Sequence, residues 1–181
     1  MLGNKEGQGT MHQKTKSYNA DTSLYSSFIA IIAITTILCP SLAFSKGSYQ
    51  IQGQAYVIDG DTIVINDQHI RLYGIDAPEK AQICDWGYNG HKAIHFLDNL
   101  VKNKIVYCAI SSKDRFKRPI GVCSTSSNNL NEMMVSSGHA FAYRHYSQKY
   151  TGFENAARKS NIGIWRANCE NPYLFRRRNI F

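Results

Sequence analysis

The 181-residue sequence predicts an α+β fold in which five strands suit a small closed barrel and about three helices pack against it. Short runs of alternating or β-branched apolar residues recur before residue 75 and again between 105 and 125. A helical apolar spacing separates the two groups and returns after them. The composition is globular, with 43% hydrophobic and 12% aromatic residues and only four prolines. The length suits one domain with a real core.

Taken in order, the first strand runs from Gln52 to Ile58 and ends at the Asp59-Gly60 turn. Thr62 to Ile65 and His69 to Tyr73 follow, joined by Asn66-Asp67-Gln68, which has hairpin chemistry. Ala93, Phe96, Leu97, Leu100 and Val101 fall at i, i+3, i+4, i+7 and i+8, the spacing of an amphipathic helix. "IVYCAI" is the fourth strand and "PIGVCST" the fifth, with "SSKDRFKR" as the loop between them. "NLNEMMVSSG" gives a short helix stopped by Gly138. "TGFENAARKSNIGIW" gives a third, with Thr151 as its cap and a stop near Gly163. The tail "NPYLFRRRNIF" reads as an irregular docked segment and its arginines as a solvated run. The five-stranded oligonucleotide/oligosaccharide-binding (OB) barrel fits this order, as do other five-stranded α+β folds.

The chain divides into residues 1–45, a domain over 46–168 and a basic tail over 169–181. "FIAIIAITTILC" is a twelve-residue apolar run preceded by Lys5, Lys14 and Lys16 and followed by small residues. It reads as a secretory signal peptide cut after Ala43 or Ser45, with Met11 a possible true start and an uncleaved anchor over 28–44 the alternative. The expected location is secreted or periplasmic, or membrane-anchored in the alternative. The formal charge is +8, and residues 1–45 hold only three of the lysines and two of the acids. The basic excess therefore belongs to the domain and favours a polyanionic partner, nucleic acid or an anionic membrane surface.

Export permits disulfides, and four cysteines remain beyond residue 45: Cys84, Cys108, Cys123 and Cys169. Cys108 and Cys123 can face each other across an antiparallel pair, which makes them the first choice and leaves Cys84 with Cys169. Four cysteines nevertheless allow three connectivities. His69, His91, His95, His139 and His145 show no ligand spacing.

The chemistry concentrates in "VIDGDTIVINDQHIRLYGIDAPEK". Asp61 follows a tight turn at Gly60, and Asp76 follows Gly74-Ile75, so the two can project toward each other from strand ends. Paired carboxylates, with the Ala77 carbonyl completing the set, suit a hard cation, and an extracellular setting favours Ca²⁺. Glu79 is held off the strand axis by Pro78 and could orient or deprotonate a water. Arg71, in an otherwise apolar strand, needs either a nearby acid or a phosphate. Arg118 is a second such guanidinium. "FAYRHYSQKY" interleaves aromatic and cationic residues as single-strand binding requires.

In joint order and spacing, Asp59-Gly60-Asp61-Thr62, Arg71 through Glu79, Asp114 with Arg118, "GHAFAYRHY" and "ARKSNIGIW" resemble the staphylococcal nuclease (thermonuclease) family over about Gln52 to Trp165. The resemblance implies the five-stranded barrel with three helices and Ca²⁺-dependent hydrolysis of DNA and RNA, single strands preferred, by a monomer with no obligate protein partner. It implies Asp61, Asp76 and the Ala77 carbonyl as cation ligands, Arg71 and Arg118 on the scissile phosphate, and Glu79 as the base or water-orienting group. Attack by water would break the bond to the 5′-oxygen and leave a 3′-phosphate. Asp114, Arg115, Tyr143 and Tyr146 would contact substrate, the second stacking aromatic falling at His145 or Tyr146. The chain departs from the family at Phe116-Lys117-Arg118, where Tyr-Gly-Arg is common. A phosphate hydrogen bond is thereby lost, and Arg115 is positioned to substitute for it. The alternative, a catalytically weak or inactive barrel that binds nucleic acid or protein, would be expected to lose several of Asp61, Arg71, Asp76, Glu79 and Arg118, and all five are present.

Overall fold

The structure, a computed structural model, describes residues 48–179. The expected leader and its alternative anchor lie outside the described residues, within which no helix is long and apolar enough to cross a membrane.

Among the described residues eight strands form: β1 (Tyr49–Gln54), β2 (Tyr56–Asp59), β3 (Thr62–Ile65), β4 (Gln68–Leu72), β5 (Ile75–Asp76), β6 (Ile105–Lys113), β7 (Pro119–Ser124) and β8 (Phe141–Ala142). Four helices accompany them: α1 (Gly90–Val101), α2 (Leu130–Ser136), α3 (Thr151–Lys159) and α4 (Pro172–Arg178). The main sheet has the order β1-β6-β7-β4-β3-β2, antiparallel except where β4 lies parallel to β7. Its two edges, β1 and β2, are consecutive pieces of one extended segment that bends at Ala55. One half pairs with β6 and the other with β3, so the sheet curls into a barrel of five strands once β1 and β2 are counted as one. Asn66 adds a bond across the seam, its Nδ2 donating to the Gln52 carbonyl at 3.2 Å. The expected OB-type α+β fold is thus present, with one helix more than the sequence suggested.

The local chemistry explains most elements. Asn66 and Asp67 both have positive φ, the two-residue turn that keeps the β3–β4 register at Ile65↔Gln68. Alternation along β6 turns Val106, Cys108 and Ile110 inward. Cys108 and Cys123 are register partners and are disulfide-bonded, and Cys84 is bonded to Cys169. Helix α1 buries Ala93, Leu97 and Val101 in the barrel core, with Phe96 and Leu100 packed at its margin.

Three expectations are corrected. Strand β6 runs three residues past Ile110, through a bulge near Ser111, because its exposed end needs only backbone pairing. Thr151 is not the cap of α3: Tyr150, wholly buried, holds that position, and the threonine hydroxyl donates to Gln148 Oε1 at 3.0 Å. The tail is a helix, started by Asn171, whose Oδ1 accepts from the Tyr173 N–H, and by Pro172 in the first turn.

The turn between β6 and β7 is built on Asp114. Its Oδ1 accepts from the N–H groups of Phe116 and Arg118, both at 2.9 Å. Closing this turn requires φ of 65° at Lys117, a left-handed conformation costly for any residue with a Cβ. Lys117→Gly should therefore raise unfolding stability by about 0.5–1 kcal/mol. A urea titration showing a loss instead would mean that the lysine side chain outweighs its backbone.

His139 sits against α1, stacked on Phe96 at 4.1 Å, with Nδ1 2.9 Å from the Tyr88 hydroxyl. Burial, helped by the Lys92 charge, pushes its pKa down to about 4. The unfolded chain, with an ordinary histidine near ~6.5, takes up that proton first. The stability contribution is thus complete above about pH 6.5 and is lost as pH falls toward about 4. The loss should be about 1–3 kcal/mol. His139→Gln should flatten that part of the curve, measured by denaturant unfolding at successive pH values, and an unchanged slope would place the acid sensitivity elsewhere.

Candidate functional site

The site lies where β3, β4 and β5 end. Antiparallel pairing sets Thr62 opposite Arg71, and the Leu72 N–H donates to the Asp61 carbonyl at 2.8 Å. Asp61 is thereby fixed beside the Arg71 side chain. Asp76 is fixed by a two-strand sheet, β5 with β8, in which it pairs with Phe141. Arg71 then bridges the two acids: Nη1 lies 2.6 Å from Asp61 Oδ1 and Nη2 lies 2.8 Å from Asp76 Oδ1. Of the alternatives open to Arg71, an acid or a phosphate, the acids are its partners here; with Nη2 also donating to the Ile75 carbonyl at 3.5 Å, two of its five N–H donors make no hydrogen bond.

Both acids are buried, Asp61 at 4% and Asp76 at 1% exposure. Asp61 is satisfied on both oxygens: Thr62 Oγ1 and Arg71 donate to Oδ1, and the Ala77 N–H donates to Oδ2 at 3.1 Å. Burial pushes the Asp76 carboxyl up, against the downward pull of its arginine partners. Burial works against the Arg71 charge too, but Asp61 and Asp76 outweigh it and hold the guanidinium above its usual range.

Glu79 stands at the rim, a third exposed. Its loop is tied down by Gln82, a buried side chain whose Oε1 accepts from the Glu79 N–H at 3.3 Å and whose Nε2 donates to the Glu170 carbonyl at 2.6 Å. The start of α1 presses on the same loop at Gly90, where an added Cβ would stand 1.9 Å from the Glu79 carbonyl oxygen. Glycine is required there so that helix and loop can meet.

Arg118 stands apart from this cluster. The parallel β4–β7 register pairs Arg71 with Ile120, two residues along, so Arg118 enters beside the Arg71 strand. Its Nε donates to Asp114 Oδ2 at 2.7 Å, and it makes no hydrogen bond to Asp61, Asp76 or Glu79. Desolvation works against the Asp114 charge, but hydrogen bonds from Arg118, its charge and the Phe116 N–H together outweigh it and hold the carboxyl below its usual range. Asp114 thus positions Arg118. The Phe116 ring is 64% exposed, with the Arg115 and Arg118 guanidiniums 4.8 Å and 5.6 Å from its centroid. The ring that replaces the family tyrosine therefore keeps a cation–π hold on both arginines.

Tyr143, His145 and Tyr146 form an aromatic group with ring separations of 5.1–6.2 Å. The Tyr143 N–H donates to the Gly74 carbonyl at 2.8 Å, two residues before Asp76, and burial and then the Asp76 charge push the Tyr143 hydroxyl up. Buried Glu154 anchors it, accepting from the Ala142 N–H at 3.0 Å and from the Arg144 guanidinium.

Three contributors were missed by sequence reasoning: Gln82, Glu154 and above all Arg176. Arg176 reaches from α4 into the site. Its Nη2 is 2.9 Å from Asp76 Oδ2, and its Nη1 is 3.1 Å from Asp76 Oδ1 and 2.6 Å from Glu79 Oε1. The helix-start signal in Asn171-Pro172 was there to be read; the destination of Arg176 was not.

Among the described residues no group of three or more His, Cys, Asp or Glu side chains converges as a ready metal centre. The donor set still fits a hard cation. Asp61 and Asp76 are anionic oxygen donors brought within hydrogen-bond reach of one positive group, Arg71, and Asp76 is met by a second.

A family model, staphylococcal nuclease homologue, matches residues 69–167, more than half of the chain. A micrococcal nuclease of Shigella flexneri is 34% identical over 168 residues, covering 82% of this chain and 90% of its own. An uncharacterized endonuclease of Escherichia coli O157:H7 is 35% identical over 130 residues, covering 67% and 82%. The succinoglycan biosynthesis protein ExoI of Rhizobium meliloti (strain 1021) is 33% identical over 130 residues, covering 67% and 68%. With the barrel, the paired acids on Arg71 and these likenesses in agreement, the chain belongs to the staphylococcal nuclease family.

Proposed function

We propose that the protein is an exported, Ca²⁺-dependent nuclease that hydrolyses DNA and RNA with little sequence preference. The observation that carries this reading is the convergence of Asp61 and Asp76 on Arg71, with Glu79 at the rim. Asp61, Asp76 and the Ala77 carbonyl would hold the cation. When bound, it would neutralise charge on the phosphate and help orient a water.

The protein's own groups do the rest. Arg71, fixed by its acids, offers its remaining N–H donors to a non-bridging phosphate oxygen. Arg118, set by Asp114, approaches the same phosphate from the β7 side. Glu79 accepts a proton from the attacking water as its oxygen bonds to phosphorus. The bond to the 5′-oxygen breaks, that oxygen takes a proton from solvent, and a 3′-phosphate remains. Tyr143 and Tyr146 supply stacking faces that every base can use, which supports both low sequence preference and a preference for single strands. The two disulfides and the apolar run before residue 40 support an oxidising, exported setting.

Single-stranded DNA incubated with the purified protein should be cut in Ca²⁺ and left intact in chelator. Absence of Ca²⁺-dependent cutting by folded, disulfide-intact protein would sink the reading. Glu79→Gln should lower turnover on the order of 10²-fold or more while DNA binding changes little. Equal losses in cutting and binding would remove Glu79 from proton transfer.

A further inference from the structure

The arginine run at the end of the chain is not solvated along its whole length. Its first member, Arg176, makes the two-pronged contact with Asp76 and the short contact with Glu79 described above. The segment that carries it is pinned to the Glu79 loop at two points. Cys169 is disulfide-bonded to Cys84 and the Glu170 carbonyl accepts from Gln82, and Pro172, which opens the helix, is buried. The delivery of this guanidinium is therefore built into the fold.

Its position conflicts with a cation. Both Asp76 oxygens are occupied, Oδ1 by Arg71 and Arg176 and Oδ2 by Arg176. Three carboxylates, Asp61, Asp76 and Glu79, face two guanidiniums, Arg71 and Arg176, and so the site retains one formal negative charge. A divalent ion added to that set would meet two fixed positive charges as well as the acids. One guanidinium has to yield, and the two differ in freedom. Arg71 grows from a central barrel strand between β3 and β7, and its side chain is 21% exposed. Arg176 grows from the last turn of a seven-residue helix outside the barrel sheet, and its side chain is 35% exposed.

We infer that Arg176 is a built-in competitor for the cation: it occupies Asp76 and Glu79 in the metal-free protein and leaves when the ion binds. The inference rests on Asp61 and Asp76 being cation ligands. Occupancy of the site by the ion and docking of α4 are then mutually unfavourable, and by linkage each weakens the other equally. The tail helix thus sets how much Ca²⁺ the site requires, and it frees Glu79 at the moment the site is loaded.

The test measures Ca²⁺ binding to the full chain by calorimetry, without substrate. Arg176→Ala should bind Ca²⁺ on the order of tenfold more tightly than the unchanged protein. Arg176→Lys, which keeps the charge but loses the fork, should fall between them. Arg177→Ala, on the same helix but over the Tyr173 ring, should leave affinity unchanged. In the unchanged protein, added Ca²⁺ should speed amide exchange across residues 172–178. Equal Ca²⁺ affinity in Arg176→Ala and unchanged protein would overturn the competition while leaving the cation site intact. An equal gain in Arg177→Ala would reduce it to bulk charge. No Ca²⁺ binding by either protein would remove the cation reading and the competition together.

Discussion

The constraint on which the site depends is the burial of two carboxylates within reach of one guanidinium. Each acid taken from water costs several kcal/mol unless it is paired and hydrogen-bonded. Asp61 meets that cost with Thr62, Arg71 and the Ala77 N–H, and Asp76 meets it with two arginines. Removing Arg71 would leave Asp61 without a cationic partner and Asp76 with Arg176 alone, whereas shortening a rim residue would not. The barrel exists around this arrangement in a literal sense. The β3–β4 register puts Asp61 beside Arg71, and the small β5–β8 sheet brings Asp76 to the other side of the same fork. A slip of one residue in either would turn an acid to the wrong face.

The second ring of contacts keeps this geometry from relaxing. Asn131 is wholly buried and ties the end of β4 to β7, donating to the carbonyls of Tyr73 and Gly121 and accepting from the Cys123 N–H. Gly138 and Gly163 meet backbone to backbone, with an added Cβ at Gly163 only 2.0 Å from the Gly138 oxygen. That contact sets the segment leading to β8 against the end of the α3 region, and β8 holds Asp76. The aromatic group follows directly, since Tyr143 comes one residue after β8 and its N–H donates to the Gly74 carbonyl.

The sequence made the repetitive parts legible and the non-repetitive parts obscure. Period two marked the barrel strands, period 3.6 marked α1, and Asn66-Asp67 marked the hairpin, because each is a local pattern with a local cause. Both disulfides agreed with the first-choice pairing because Cys108 and Cys123 each end an apolar run. Strands β5 and β8 were invisible, as two residues carry no period. The left-handed Lys117 was visible only as a departure from a familiar glycine. Arg176 was the largest omission: its contact with Asp76 spans 100 residues of sequence, and no local pattern encodes it. A triple arginine at a chain end has the composition of a solvated tail, and what makes it otherwise is a disulfide and a glutamine elsewhere.

That omission bears on how such a site is stable without its ion. Three acids around one arginine carry excess negative charge, and burial of Asp76 gives that excess a high cost. A third-party cation is needed in the resting fold, and a tethered guanidinium supplies it at a fixed high local concentration. The same contact that stabilises the metal-free protein must be broken when the ion enters. Part of the ion's binding energy is then spent on undocking α4, and stability and cation affinity trade against each other through one residue. A site with a freely mobile tail would hold the ion more tightly but would leave Asp76 without its two-pronged partner in the ion's absence.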